Sequence, residues 1–173
     1  MARIAYDEFQ AAIRRSRRAW HIEMSDTYNV EIEDEAFGRF LAGAYDDYLW
    51  LSEWRQFIAE VTAAGTRVQR ARVVTVPHSD YTRWGLAVAQ MLEEAGEQIR
   101  YLRRDQAGGI PFPKEDFWVF DEDRLILSVF SADGRQGGFA SSEDPDLLDQ
   151  CREVRDLVWA RATPYAKYVA STS

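Results

Sequence analysis

The stretch from Thr66 to Arg104, TRVQRARVVTVPHSDYTRWGLAVAQMLEEAGEQIRYLRR, constrains the fold more than any other part of the chain. An apolar run reaches Val76 and is stopped by Pro77, which has no amide hydrogen to give to a strand ladder. Ser79 or Asp80 stands where a helix N-cap belongs. Trp84, Val88, Met91, Leu92 and Ala95 then recur at the spacing of one helix face, and Gly96 follows. A second apolar run passes through Ile99, Tyr101 and Leu102. Strand, helix and strand in that order make a βαβ unit, whose two strands run parallel.

The flanking segments extend this unit. Phe9, Ile13 and Trp20 predict an amphipathic helix over 5–20, with Arg14, Arg15, Arg17 and Arg18 on its wet face. Alternation through Ile22, Met24, Tyr28, Val30 and Ile32 predicts one or two short strands, and a brief helix over 33–42 ends at Gly43. Trp50, Leu51, Trp54, Phe57, Ile58 and Val61 share one face of a longer helix that stops before Gly65. After the Gly/Pro loop QAGGIPFPKE, the runs FWVF and RLILSVF form a hairpin around DED, and Asp133-Gly134 turns the chain into a further strand near GGFAS. Asp144 caps a last helix with Pro145 at its first position, Cys151 lies on its inward stripe, and the tail after Tyr165 frays. The expected fold is α/β (α+β): a helical N-terminal third, then a mixed sheet with one βαβ unit and a C-terminal β-hairpin plus helix, all in one domain over residues 1–173.

Composition narrows the function. With 46% hydrophobic residues and six Trp in 173 residues, a core can form without covalent staples, and the single cysteine points to a reducing compartment, the cytoplasm. No run approaches the ~20 apolar residues of a membrane span, and MARIAYDEFQ lacks the apolar stretch of a signal peptide. A net charge of −8 repels phosphate backbones, so direct nucleic-acid binding is not expected. His21, His78 and Cys151 have no metal-ligand spacing, and a carboxylate-only cation site would have to come from Asp144 and Asp146, or from Asp121, Glu122 and Asp123. Gly108-Gly109 leads into prolines rather than a helix, and no G-x-S-x-G elbow exists, so neither a nucleotide-binding turn nor a serine hydrolase is indicated. No cofactor is expected.

One cluster remains. Arg70 and Arg72 on the first strand of the βαβ unit, with His78, Asp80, Tyr81, Arg83 and Trp84 just beyond its carboxyl end, gather guanidinium, imidazole and hydroxyl groups where α/β folds place their ligands. These seven residues are the candidate ligand site. Capping by Ser79 and Asp80 and packing by Tyr81 and Trp84 are the structural alternative.

Two resemblances add to this reading. KEDFWVFDEDRLILSVFSADG with EDPDLLDQCREVRDLVWARATPY behind it resembles the second half of a phospholipase D-like domain. Aligning that motif's aspartate with Asp121 places Lys114 at the nucleophilic histidine and Asp116 at the lysine, so the resemblance implies a relative without its catalytic pair. Over nearly its whole length, through FQAAIRRSRRAWHIEMSDTYNVEIEDEAFGRFLAG, WRQFIAEVTAAGTRVQRARVVTVPHSDYTRW, EQIRYLRRD and DFWVFDEDRL, the chain is similar to an uncharacterised actinobacterial family found near Xre-type helix-turn-helix regulators. The Arg-rich composition, with only Lys114 and Lys167, fits that origin. The resemblance implies a modulator of a transcription regulator. With the acidic surface it leads to the expectation of a non-catalytic regulatory or adaptor protein whose partner is such a regulator, contacted through Trp50 and Trp54 or through the cluster of Arg70, Arg72, Tyr81, Arg83 and Trp84. The alternatives are a sensor of an anionic small molecule or nucleotide at the 70–84 loop, and an enzyme using His78 as base with Asp80 or Asp121.

Overall fold

Alternate residues of the run 67–74 turn to opposite faces, and both faces are buried: Ala71 and Val73 on one, Val68, Arg72 and Val74 on the other. Such a strand belongs at the middle of a sheet covered on both sides. In the computed structural model, which describes residues 1–172, that is where it lies. In chain order the elements are β1 (Ala2–Ile4), α1 (Tyr6–Arg15), β2 (Arg18–Glu23), α2 (Asp34–Leu41), α3 (Ser52–Ala63), β3 (Arg67–Val74), α4 (Asp80–Glu94), β4 (Gln98–Arg103), β5 (Phe117–Phe120), β6 (Arg124–Phe130), β7 (Gln136–Ser142), α5 (Pro145–Arg161), β8 (Thr163–Pro164) and α6 (Tyr165–Thr172). Short 3-10 turns precede α2 and α3 and follow β4.

The strands form one 8-stranded mixed sheet in the order β1-β7-β6-β5-β2-β3-β4-β8. β2, β3 and β4 are parallel, and the remaining neighbours pair antiparallel. The α4 connection between β3 and β4 is the βαβ unit read from the sequence, and the β5–β6 hairpin with α5 behind it is also as read. Against one face α5 packs Cys151, Val154 and Val158 on Trp20, Ile22, Phe117 and Leu127. Against the other, α1 and α3 place Phe9, Ile13, Phe57 and Ile58 on Val68, Trp118 and Phe120, while α4 sets Ala89 and Leu92 on Val74, Ile99 and Tyr101. Asp144 caps α5 by accepting from the Asp146 and Leu147 amides at 3.0 and 3.3 Å. Asp144→Ala is expected to lower the unfolding free energy by about 1 kcal/mol in urea titration.

Three expectations are corrected. The first helix stops at Arg15 and does not reach Trp20. Ser16 turns to extended geometry with its hydroxyl on the Ala12 carbonyl, and Asp121 Oδ1 takes the Arg17 and Arg18 amides at 2.9 Å each, so the chain leaves the helix and Trp20 enters β2. The N-terminal third is therefore not all helical: β2 lies between β3 and β5, and it adds a second parallel crossover to the single one expected. Of the one or two short strands expected from the alternation, one forms, β2, and beyond Glu23 Tyr28 bonds to Asp116 and Asp26 to Thr75 in place of a strand ladder. The tail beyond Tyr165 is helix α6 rather than a frayed end, since Tyr168 is buried and stacks on Tyr101 with ring centroids 4.7 Å apart.

Candidate functional site

Three strands bring charge to one buried face. Register aligns His21 of β2 with Arg70 of β3, Glu23 with Arg72, and Arg72 with Tyr101 of β4. All five side chains point toward the α4 layer, into surroundings that elsewhere on this face are apolar. Glu97, buried in the turn before β4, completes the group.

Arg70 is fully paired. Its Nε lies 2.7 Å from Glu97 Oε1, and its Nη1 donates to Glu23 Oε1 at 3.0 Å. Burial raises the Glu23 carboxyl, but the Arg70 and Arg72 guanidiniums outweigh it and hold it down to about 2. Glu97 behaves alike: Arg70 and His21 lower it against the pull of burial. Burial, and then Arg70, lower His21, so its imidazole stays neutral, stacked on Trp118 at 3.8 Å.

Arg72 is different. It is 4% exposed, yet among the described residues its only charged partner is Glu23, whose Oε2 lies 2.9 Å from Nε off the line of a hydrogen bond. Its Nη2 has no hydrogen-bond partner. The Tyr101 hydroxyl, on a residue 1% exposed, has none either. Leaving such groups unsatisfied costs about 1–3 kcal/mol each. Both residues line a cavity of about 50 Å³. Glu23, Glu33, Arg70, Arg72 and Tyr101 form its polar wall, and Trp84, Gly85, Val88, Ala89 and Leu92 of α4 form the apolar one. By volume it has room for about four water molecules. Gly85 makes space for the guanidinium, because a Cβ there would sit 2.7 Å from Arg72 Nη1.

The chain between β2 and α2 passes over Arg72 and adds Glu33 to the cavity wall. Asp26 accepts from the Thr75 amide and hydroxyl at 2.8 and 2.6 Å, anchoring this segment to the end of β3. Tyr28 donates to Asp116, which also accepts the Met24 amide at 2.9 Å, and Tyr81 donates to Glu33 at 2.5 Å. The Tyr81 and Tyr28 rings stand 5.6 and 5.9 Å from the Arg72 guanidinium carbon, within cation–π range. Burial pushes the Glu33 carboxyl up to about 7 and that of Asp116 up to about 6, in both cases against hydrogen bonds from a tyrosine that pull the other way.

Of the seven residues proposed from sequence, Arg70, Arg72, Tyr81 and Trp84 meet at this cavity. His78, Asp80 and Arg83 do not. Both His78 nitrogens are engaged, Nδ1 with the Thr75 carbonyl at 3.0 Å and Nε2 with the Tyr168 hydroxyl at 2.8 Å, while Asp80 pairs with Arg83 on the exposed start of α4. Asp121 lies beside Arg17 and Arg18 at the opposite end of the parallel strands, so it cannot orient His78. Trp50 stacks on Trp84, and Trp54 packs between two core clusters, so neither is a free contact. Sequence reasoning missed Glu23, Glu33, Glu97 and Tyr101. Their trace was available: arginines at core-facing positions of a doubly covered strand require buried carboxylates at the same level of neighbouring strands.

Lys114 is exposed beside Glu115 at 3.6 Å, Asp116 is buried under Tyr28, and Asp121 caps the start of β2. Among the described residues no group of three or more His, Cys, Asp or Glu side chains could hold a metal ion, and no helix is long and apolar enough to cross a membrane. No curated protein matches the chain. The model of the family DUF6879, a domain of unknown function, matches residues 7–170, and the chain belongs to that family.

Proposed function

We propose that the protein is a non-catalytic binding protein that senses a small anion in the cavity at Arg72. The observation that carries this reading is a buried guanidinium with an unpartnered Nη2 beside an unpartnered Tyr101 hydroxyl, both on the wall of one cavity toward the carboxyl ends of parallel strands. A ligand oxygen would satisfy both donors at once. Thermal denaturation in the presence of nitrate, phosphate or acetate tests it. At a hundredfold excess over Kd, the bound anion should raise Tm by about 5–10 °C, and the shift should vanish in Arg72→Met. Equal shifts in both proteins would end the reading.

A second reading, docking of a regulatory protein, draws on the surface above the cavity. Leu41, Tyr45 and Leu49 are exposed at and beyond the end of α2, interspersed with Glu35, Asp47 and Glu53. This pattern suits a basic partner with apolar anchors, such as the helix-turn-helix regulator that the family resemblance implies, in an actinobacterial cytoplasm. The two readings are compatible, since Phe37 and Phe40 of α2 pack on Tyr81 and Trp84 at the cavity. The phospholipase D-like resemblance enters this proposal as ancestry for the hairpin and α5. Lys114 and Asp116 supply no imidazole nucleophile at the aligned positions.

A further inference from the structure

We infer that the ligand of the Arg72 cavity is a short-chain monocarboxylate, with its carboxylate between Arg72 and Tyr101 and its alkyl end against Val88, Ala89 and Leu92. This rests on reading the cavity as an anion site and adds the chemical class of the anion.

Three features select that class. The first is the asymmetry of the walls. Unpartnered donors stand on the sheet side, whereas the α4 side presents only carbon at Val88, Ala89 and Leu92. A phosphate or sulfate has oxygens on every side, and those facing α4 would be desolvated without a donor. A carboxylate concentrates its acceptors at one end and meets a guanidinium edge in plane.

The second is charge. Arg70 and Arg72 are already balanced by Glu23 and Glu97 within the group. A monoanion adds a single uncompensated charge to this buried site and a dianion adds two, so the monoanion is the less costly guest. The third is size. A cavity of about 50 Å³ accepts about one heavy atom beyond the carboxylate, which favours acetate over longer acids.

Isothermal titration of the full chain with acetate, propionate, butyrate, nitrate and phosphate tests the inference, beside three variants. Tyr101→Phe removes only the hydroxyl, which has no partner in the chain, so the fold should be unaffected. Gly85→Ala places a methyl against Arg72 Nη1 while improving helix propensity. Ala89→Leu fills the apolar end without touching the arginine. The expected result is that acetate binds the wild type more tightly than propionate or butyrate do, binds at least tenfold more weakly to Tyr101→Phe and Gly85→Ala, and does not bind to Ala89→Leu. Binding of nitrate or phosphate alone, with sensitivity to Gly85→Ala, would overturn the monocarboxylate assignment and leave the anion site standing. No binding by any of the five, or binding indifferent to all three variants, would overturn both.

Discussion

Glu23→Gln lowers the unfolding free energy by about 3–5 kcal/mol, the range seen when one member of a buried ion pair is removed and the other is left without compensation. The arrangement of the group makes this the most damaging single change in the site. Glu23 is shared, with Oε1 on Arg70 and Oε2 beside Arg72. Once its charge is gone, Arg70 keeps Glu97, but Arg72 has no other carboxylate among its ion pairs. The loss therefore traces to one stranded guanidinium. It follows that adding Arg72→Met to Glu23→Gln restores most of the lost stability, because the remaining Arg70–Glu97 pair is neutral as a unit. Urea unfolding of the two single variants and the double variant reads this coupling directly. Additive losses would show that Glu23 supports the fold by some other route.

The second large effect is on the pH dependence of stability. Burial raises Glu33 to about 7 and Asp116 to about 6, so in the folded chain both carboxyls resist ionisation. For a group raised on folding, the stabilising contribution is complete below its unfolded pKa and is lost as pH rises through the folded one. The sign is thus opposite to that of a salt-bridged carboxylate. Between about pH 4 and pH 7 the protein should lose on the order of 3 kcal/mol of stability for each group, as an upper figure, from shifts of some two units at about 1.4 kcal/mol per unit. Glu23 acts in the other direction. Its depressed value gives stability that is present above the unfolded pKa and is lost as pH falls through about 2. A maximum near pH 4 results. Glu33→Gln retains an acceptor for the Tyr81 hydroxyl and has nothing to ionise, so its stability curve should be flatter from pH 6 to 8. A wild-type curve that rises over this interval would contradict the assignment.

Much of the framework was legible in the sequence because it is written in local periodicity. The helix face from Trp50 to Val61, the βαβ unit around α4, the hairpin at Asp121–Asp123 and the Asp144 cap all depend on residues within a few turns of one another. Long-range events were not legible. Trp20 falls seven residues after Ile13, which imitates a continuing helix face, and only the capture of the Arg17 and Arg18 amides by Asp121 diverts it into a central strand. The site divides on the same principle. Arg70 and Arg72 were singled out by their crowding on a strand, and Tyr81 and Trp84 by their place after it. Asp80 and Arg83 share that loop but pair with each other at the surface, and His78 is held between Thr75 and Tyr168. Glu23 and Tyr101 join the group through parallel strand register and Glu97 through the turn before β4, neither of which a local pattern encodes.

The central claim is that Arg72 is kept for a ligand rather than for the fold. Unfolding of the Glu23→Gln/Arg72→Met double variant in urea beside the wild type, without added anions, tests it most directly. The double change removes the unsatisfied buried donor together with its one carboxylate partner and leaves Arg70 paired with Glu97, so the group stays neutral. The account predicts a stability within about 1 kcal/mol of the wild type or above it, as expected where a functional group is held at the expense of stability. A loss of about 3–5 kcal/mol would contradict it and make Arg72 a structural ion-pair residue like Arg70.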